Sequence, residues 1–203
     1  MQRDEFFWLS AINKATVVVN RAEGLIGDDT AKLAARGIRA VEEAAAADPA
    51  KRVKTYITYE PLLIEATSPE VTLIHAGRSS QDMLSTVRMA IDRDEALAFA
   101  CAFDAVLEKL IDLAEVHRDT IVPNYTNGVA AQPNSYGHYL LGFIHAFLRE
   151  RERLDQCLAR YDRSSMGATV LNGTGWPLNR AKMAEALGFS APVTNAFDAT
   201  CES

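Results

Sequence analysis

A chain of 203 residues is long enough for one substantial core, and 48% hydrophobic against 24% charged residues is ordinary globular composition, which excludes global disorder. With 21 Lys+Arg against 27 Asp+Glu the net charge is −6 and no basic block occurs, so nucleic acid is set aside as a partner. No apolar run reaches the length of a membrane span, Phe6 to Leu9 is too short for a signal-peptide core, and Cys101, Cys157 and Cys201 offer neither a disulfide framework nor zinc spacing. A soluble, cytoplasmic protein with no membrane partner is expected.

In chain order, the Ala-rich stretch from Asp28 to Asp48 places Leu33, Ile38 and Val41 at helical spacing, with Asp28 or Asp29 as N-cap and Gly37 as an interior weakness. The segment from Lys54 to Ala66 contains β-branched residues, but Pro61 argues against a central strand, and a short helix is expected. From Gln81 to about His117 no Gly or Pro interrupts an apolar stripe that runs from Met83, Leu84 and Val87 to Leu110 and Leu113. One long helix is the simplest reading. Asp119 to Asn134 holds Pro123, Gly128 and Pro133 and cannot be continuous helix. A second amphipathic helix is expected from Ser135 to Tyr161, its charged run Arg149 to Arg153 forming a solvated face. The two long helices then form an antiparallel pair. Arg163 to Asn179 is irregular, and a short helix from about Leu178 to Leu187 ends at Gly188. The fold class is all-α, built on long packed helices.

Two polar loops carry more chemistry than connectors need. His75-Ala76-Gly77-Arg78-Ser79-Ser80-Gln81-Asp82 leads into the long helix, where free backbone N–H groups and the positive end of the dipole favour a carboxylate or phosphate. The plainer alternative is that Ser79 or Ser80 simply caps the helix. Asn124-Tyr125-Thr126-Asn127-Gly128, followed by Gln132-Pro133, converges hydroxyl and amide side chains suited to a small polar ligand; its alternative is a surface turn at Asn127-Gly128. A long helix keeps these loops apart within one chain, so a shared pocket needs a neighbouring subunit.

Taken together, these segments resemble the signatures of the argininosuccinate lyase family of the fumarase/aspartase superfamily. His75 to Asp82 is similar to the family's HTGRSRND, and Pro123 to Pro133 to its PGYTHLQRAQP. Tyr136-Gly137-His138-Tyr139-Leu140-Leu141 is similar to FGHHLL, Gly173 to Arg180 to GTxFPIDR, and Asn195-Ala196-Phe197-Asp198-Ala199 to NSLDA. The resemblance implies a small N-terminal helical domain (1–77) followed by long antiparallel helices of a truncated helical bundle (78–203). It implies a homotetramer with sites where three subunits meet, and neither cofactor nor metal. The implied reaction is β-elimination releasing fumarate from a succinyl or related dicarboxylate adduct. That reaction needs preorganised donors for a carboxylate gaining charge, and an acid and a base on opposite sides of the broken bond. His75, Ser79, Ser80, Gln81, Tyr125 and Gln132 are the implied substrate-binding residues, and Thr126 and Asn127 occupy the catalytic positions.

The departures fall on the chemistry. Asn127 stands where the family has His, and an amide transfers no proton near neutrality although it still forms hydrogen bonds. Ser80-Gln81 replaces an Arg-Asn pair, which removes a cation and points to a substrate other than argininosuccinate. The third family signature, a flexible GSSxMPxKxN loop with the proposed catalytic serine, does not occur, so a partial chain lacking its base and exposing apolar helix faces is expected. A non-catalytic dicarboxylate-binding or structural paralogue is the second reading, and an unrelated all-α interaction module the third. Of the remaining histidines, His117 is expected to be structural, His145 to sit in a core or interface, and His138 to pack or line the site.

Overall fold

The computed structural model describes residues 3–201. Its elements are α1 (Glu5–Ala22), α2 (Asp28–Ala47), α3 (Tyr56–Ala66), α4 (Ser80–Val116), β1 (Ile121–Thr126), β2 (Val129–Ser135), α5 (Tyr136–Tyr161), β3 (Arg163–Ser164), α6 (Arg180–Ala186), β4 (Ala191–Pro192) and α7 (Asp198–Cys201). Short 3₁₀ helices occupy Pro49–Lys51 and Pro69–His75. The fold is helical with only short strands, as the sequence indicates. Among the described residues no helix is long and apolar enough to cross a membrane. Two compact units emerge, one formed by Met1–Arg93 with Tyr161–Ser203 and the other by Asp94–Arg160.

The first unit is organised on α1. Asp4 caps it by accepting the Phe7 amide at 3.0 Å and is bound by Arg52, whose Nε donates to the carboxylate at 2.8 Å. Phe6, Trp8, Leu9, Ile12, Ala15, Val17 and Val19 are buried, and so are the polar Ser10, Asn13, Thr16 and Asn20. A helix buried on nearly all sides shows no amphipathic period, and its sequence gives little sign of it. α2 contributes Ala31, Ala34, Ile38, Val41 and Ala45 to the same core. Gly37 has a packing reason: a Cβ there would lie 3.0 Å from Thr67 Cγ2 and 3.4 Å from Leu63 Cδ2. The start of α2 differs from expectation, since Gly27 is the N-cap while Asp28 and Asp29 lie in the first turn, where their charge complements the dipole. α3 is helical despite Pro61 and buries Tyr56, Tyr59 and Leu63; the Tyr59 hydroxyl pairs with Ser10 Oγ at 2.9 Å. Arg93 ties α4 to the C-terminal segment by donating to Asp162 (2.8 Å) and to the Gly188 carbonyl (2.6 Å), its guanidinium 4.2 Å from the Phe189 ring centroid.

In the second unit, the segment expected to be an irregular loop is a β-hairpin. β1 and β2 pair antiparallel from Ile121↔Ser135 to Thr126↔Val129, with a register shift that sets Ala131 and Gln132 opposite Asn124. Asn127 (φ 48°) and Gly128 (φ 77°) are both left-handed, the requirement of a two-residue turn whose twist matches its strands. α5 begins directly after β2 and lies against the end of α4. The Gly137 amide donates to His117 O at 2.9 Å, and a Cβ on Gly137 would stand 2.5 Å from Ala114 O, so only glycine permits this approach. Leu107, Ala114, Leu140 and Ile144 form a small buried cluster. Phe99, Val106, Ile111 and Val116 of α4 and Tyr139 and Phe143 of α5 stay exposed, the unpartnered apolar faces anticipated from the sequence.

The core alternative for His145 is not realised within this chain. His145 is exposed within this chain because its neighbour Ile144 takes the buried position, and His138 is also exposed. His117 makes local contacts, with Nδ1 3.1 Å from Thr120 Oγ1 and its ring edge-on to Tyr136.

Candidate functional site

Four of the expected site residues gather at the start of α4. Ser79 is the N-cap: its Oγ accepts the Gln81 amide at 3.1 Å and its carbonyl accepts the Met83 amide at 3.3 Å. Asp82, three residues on, reaches back to accept the Ser79 amide at 2.9 Å, completing a reciprocal capping arrangement. The capping alternative for Ser79 is therefore realised. Ser80 is the first helical residue and is exposed. Gln81 Nε2 donates to Thr200 O at 3.2 Å, which uses one of its two N–H groups.

Below this surface lies a buried polar layer. Arg78, 7% exposed, donates from Nη1 to Asn13 Oδ1 (2.9 Å) and Thr16 Oγ1 (3.0 Å) and from Nη2 to the Tyr56 hydroxyl (3.1 Å). The Tyr56 hydroxyl donates onward to Glu60. Burial disfavours the charged form of Arg78, and it pushes the Tyr56 phenol up to about 12. His75 stacks on Tyr56 with ring centroids 4.6 Å apart and planes 6° apart. Its pKa is lowered by burial first and by the Arg78 charge second. Asp82 is fully buried and also accepts the amides of Gly167 (3.0 Å) and Thr169 (2.9 Å). Burial raises its pKa to about 6, against the pull of those amides and of Arg78. A cavity of about 10 Å³ behind Arg78, bordered by Thr16, Asn20, Gly167 and Arg180, has room for one water-sized molecule and none for a dicarboxylate.

The other expected residues belong to the second unit. Tyr125, Thr126, Asn127 and Gln132 sit on the hairpin with exposed side chains, Asn127 at the turn itself. Within that unit Asn134 Nδ2 donates to Asn124 Oδ1 (3.2 Å), and Ser135 Oγ accepts the His138 amide (3.1 Å) at the start of α5. Among the described residues no group of three or more His, Cys, Asp or Glu is placed to hold a metal ion.

Arg78 and Asp82 are the participants that the sequence reading passed over. The hydroxyls of Ser79 and Ser80 allow for a cap, but nothing in sequence signals partners of Asp82 as distant as Gly167 and Thr169.

Known proteins supply the context. The sequence model of a family described as lyase matches residues 3–203. Argininosuccinate lyase of Thiobacillus denitrificans is 40% identical over 134 residues, which is 64% of this chain and 28% of that protein. Argininosuccinate lyase 1 of Shouchella clausii is 31% identical over 97% of this chain and 40% of that protein. Among solved structures, an EDDS lyase variant with bound fumarate superposes with a TM-score of 0.90 at 31% identity, covering 97% of this chain and 39% of that one. The chain thus spans between 28% and 40% of the length of these relatives. A match over almost every residue, with the ordered signatures at the start of α4 and on the hairpin, means that this chain belongs to the lyase family, on the argininosuccinate lyase side of the fumarase/aspartase superfamily.

Proposed function

We propose that this chain supplies the dicarboxylate-binding part of a lyase that releases fumarate by β-elimination from a succinyl adduct. The observation that carries the reading is the start of α4, where Ser79, Ser80 and Gln81 present hydroxyl and amide donors at the positive end of a 37-residue helix. Such donors are fixed before substrate arrives, which suits a carboxylate that gains negative charge as the β-proton leaves. His75, stacked on Tyr56, belongs to the layer beneath this surface. In a homotetramer, Tyr125, Thr126, Asn127 and Gln132 of another copy form the facing wall, with Thr126 and Asn127 nearest the leaving group. The general base comes from outside these residues, and Asn127, an amide, serves as neither acid nor base. The absence of an arginine at Ser80 favours an adduct other than argininosuccinate.

Calorimetric titration with fumarate or succinate tests this. Ser80→Ala and Gln81→Ala are each expected to weaken binding about tenfold, the usual effect of losing one hydrogen bond to a charged group. Unaltered affinity in both variants removes the start of α4 from the site. Asn127 favours a second reading, a paralogue that binds a dicarboxylate without turning it over. Binding with no fumarate formed from any succinyl adduct, in the assembled protein, selects that reading.

A further inference from the structure

Two stretches of the first unit, far apart in sequence, converge on one carboxylate. Oδ1 of Asp82 accepts the Ser79 amide, whereas Oδ2 accepts those of Gly167 and Thr169, 85 and 87 residues away. A helix cap needs only the first of these, so the second oxygen calls for another explanation. The loop it holds is constrained: Gly167 has φ 80° and Thr169 has φ 56°. A β-branched residue in the left-handed region is strained and persists only where its surroundings enforce it. Amides of left-handed residues form a concavity for an anion, and here Asp82 fills it from inside the protein. Thr169 Oγ1 donates to Gly173 O at 2.6 Å, which carries the constraint into the Gly173-Thr174-Gly175 stretch.

We infer that Asp82 is a positioning residue, a buried carboxyl group that locks the start of α4 to the 167–175 loop so that Ser79, Ser80 and Gln81 are presented to substrate on a fixed frame. The functional half of this inference rests on the dicarboxylate reading of α4; the locking half does not. The charged groups that face Asp82 are Arg78, ahead of α4, and Arg180 of α6. Arg78 spends its hydrogen bonds on Asn13, Thr16 and Tyr56, and Arg180 on the carbonyls of Met166 and Val193. Three backbone amides are therefore the direct partners of the carboxylate. They ought to sense its ionisation together.

Amide NMR spectra of the chain between about pH 4 and about pH 8 test this. The Ser79, Gly167 and Thr169 signals are expected to titrate with one common midpoint, while His75 is followed separately by its ring protons. Asp82→Asn should abolish all three titrations, leave the α1 and α2 signals in place and weaken fumarate binding about tenfold. Separate midpoints overturn the inference, as do wild-type Gly167 and Thr169 shifts in the variant or an unchanged fumarate affinity. The wild-type titration stands even where the variant fails to fold. If the wild-type chain binds no fumarate, the dicarboxylate reading falls, and the common midpoint still decides whether Asp82 locks the two segments.

Discussion

Arg78→Ala is expected to lower the stability of the first unit by about 3 kcal/mol, through a buried acceptor left unpaired and a cavity left behind. The guanidinium is a donor to Asn13 Oδ1, whereas Thr16 and Tyr56 also donate their own hydroxyls, to Ile12 O and Glu60 respectively. The loss therefore falls mainly on Asn13, on the contact of Arg78 with the Tyr56 ring at 5.1 Å and on the packing of the aliphatic stem. Removing a cation from a buried site offsets part of this, because burial already disfavours its charge. The unpaired acceptor and the cavity outweigh that relief. Urea unfolding followed by tryptophan fluorescence checks the result, since Trp8 and Trp176 both lie in the first unit. The midpoint should fall with an unchanged slope, and Arg78→Lys should restore only part of it, because an ammonium lacks the fork that reaches Asn13, Thr16 and Tyr56 at once. An unaltered midpoint in the alanine variant contradicts this account of the buried layer.

The second large effect is a pH dependence. The pKa of Asp82 is about 6 in the folded chain and 3.8 in the reference state, so the fold binds its proton more tightly than the unfolded chain does. A group with a raised folded pKa stabilises the fold fully below its unfolded pKa, and that stabilisation is lost as pH rises through the folded value. The contribution of Asp82 therefore disappears between about pH 4 and about pH 6, and it amounts to something on the order of 3 kcal/mol. Other carboxylates act in the opposite sense. Asp4, for instance, is held below the usual range first by its hydrogen bond with Arg52, so its stabilisation is lost on acidification. Comparing pH profiles of unfolding free energy for the wild type and Asp82→Asn isolates the Asp82 contribution. The variant should lack the fall in stability across that window; parallel profiles would show that the buried carboxylate keeps an ordinary pKa.

Legibility in the sequence followed the physics of each element. α4 and α5 were readable because an uninterrupted apolar stripe repeats at helical spacing, and their exposed apolar faces followed from the same pattern. α1 was not, because buried Ser10, Asn13, Thr16 and Asn20 replace the polar face by which an amphipathic helix is recognised. The hairpin was half visible. Asn127-Gly128 marked the turn, but Pro123 and Pro133 suggested only a break in helix, and in fact they pair opposite each other in a two-stranded ribbon. A cap at Ser79 or Ser80 was legible from hydroxyl residues standing ahead of a helical stripe. Arg78 and Asp82 could not be understood so, because their meaning depends on Asn13, Tyr56, Gly167 and Thr169, which only the folded chain brings together.

The central claim, that the start of α4 receives a dicarboxylate, is tested most directly by titrating the labelled chain with fumarate and following every backbone amide. The account predicts that the largest shifts fall on Ser79, Ser80, Gln81 and Asp82 and on the 167–175 loop that Asp82 holds. Saturable binding whose shifts fall elsewhere, or no saturable binding at all, would contradict it.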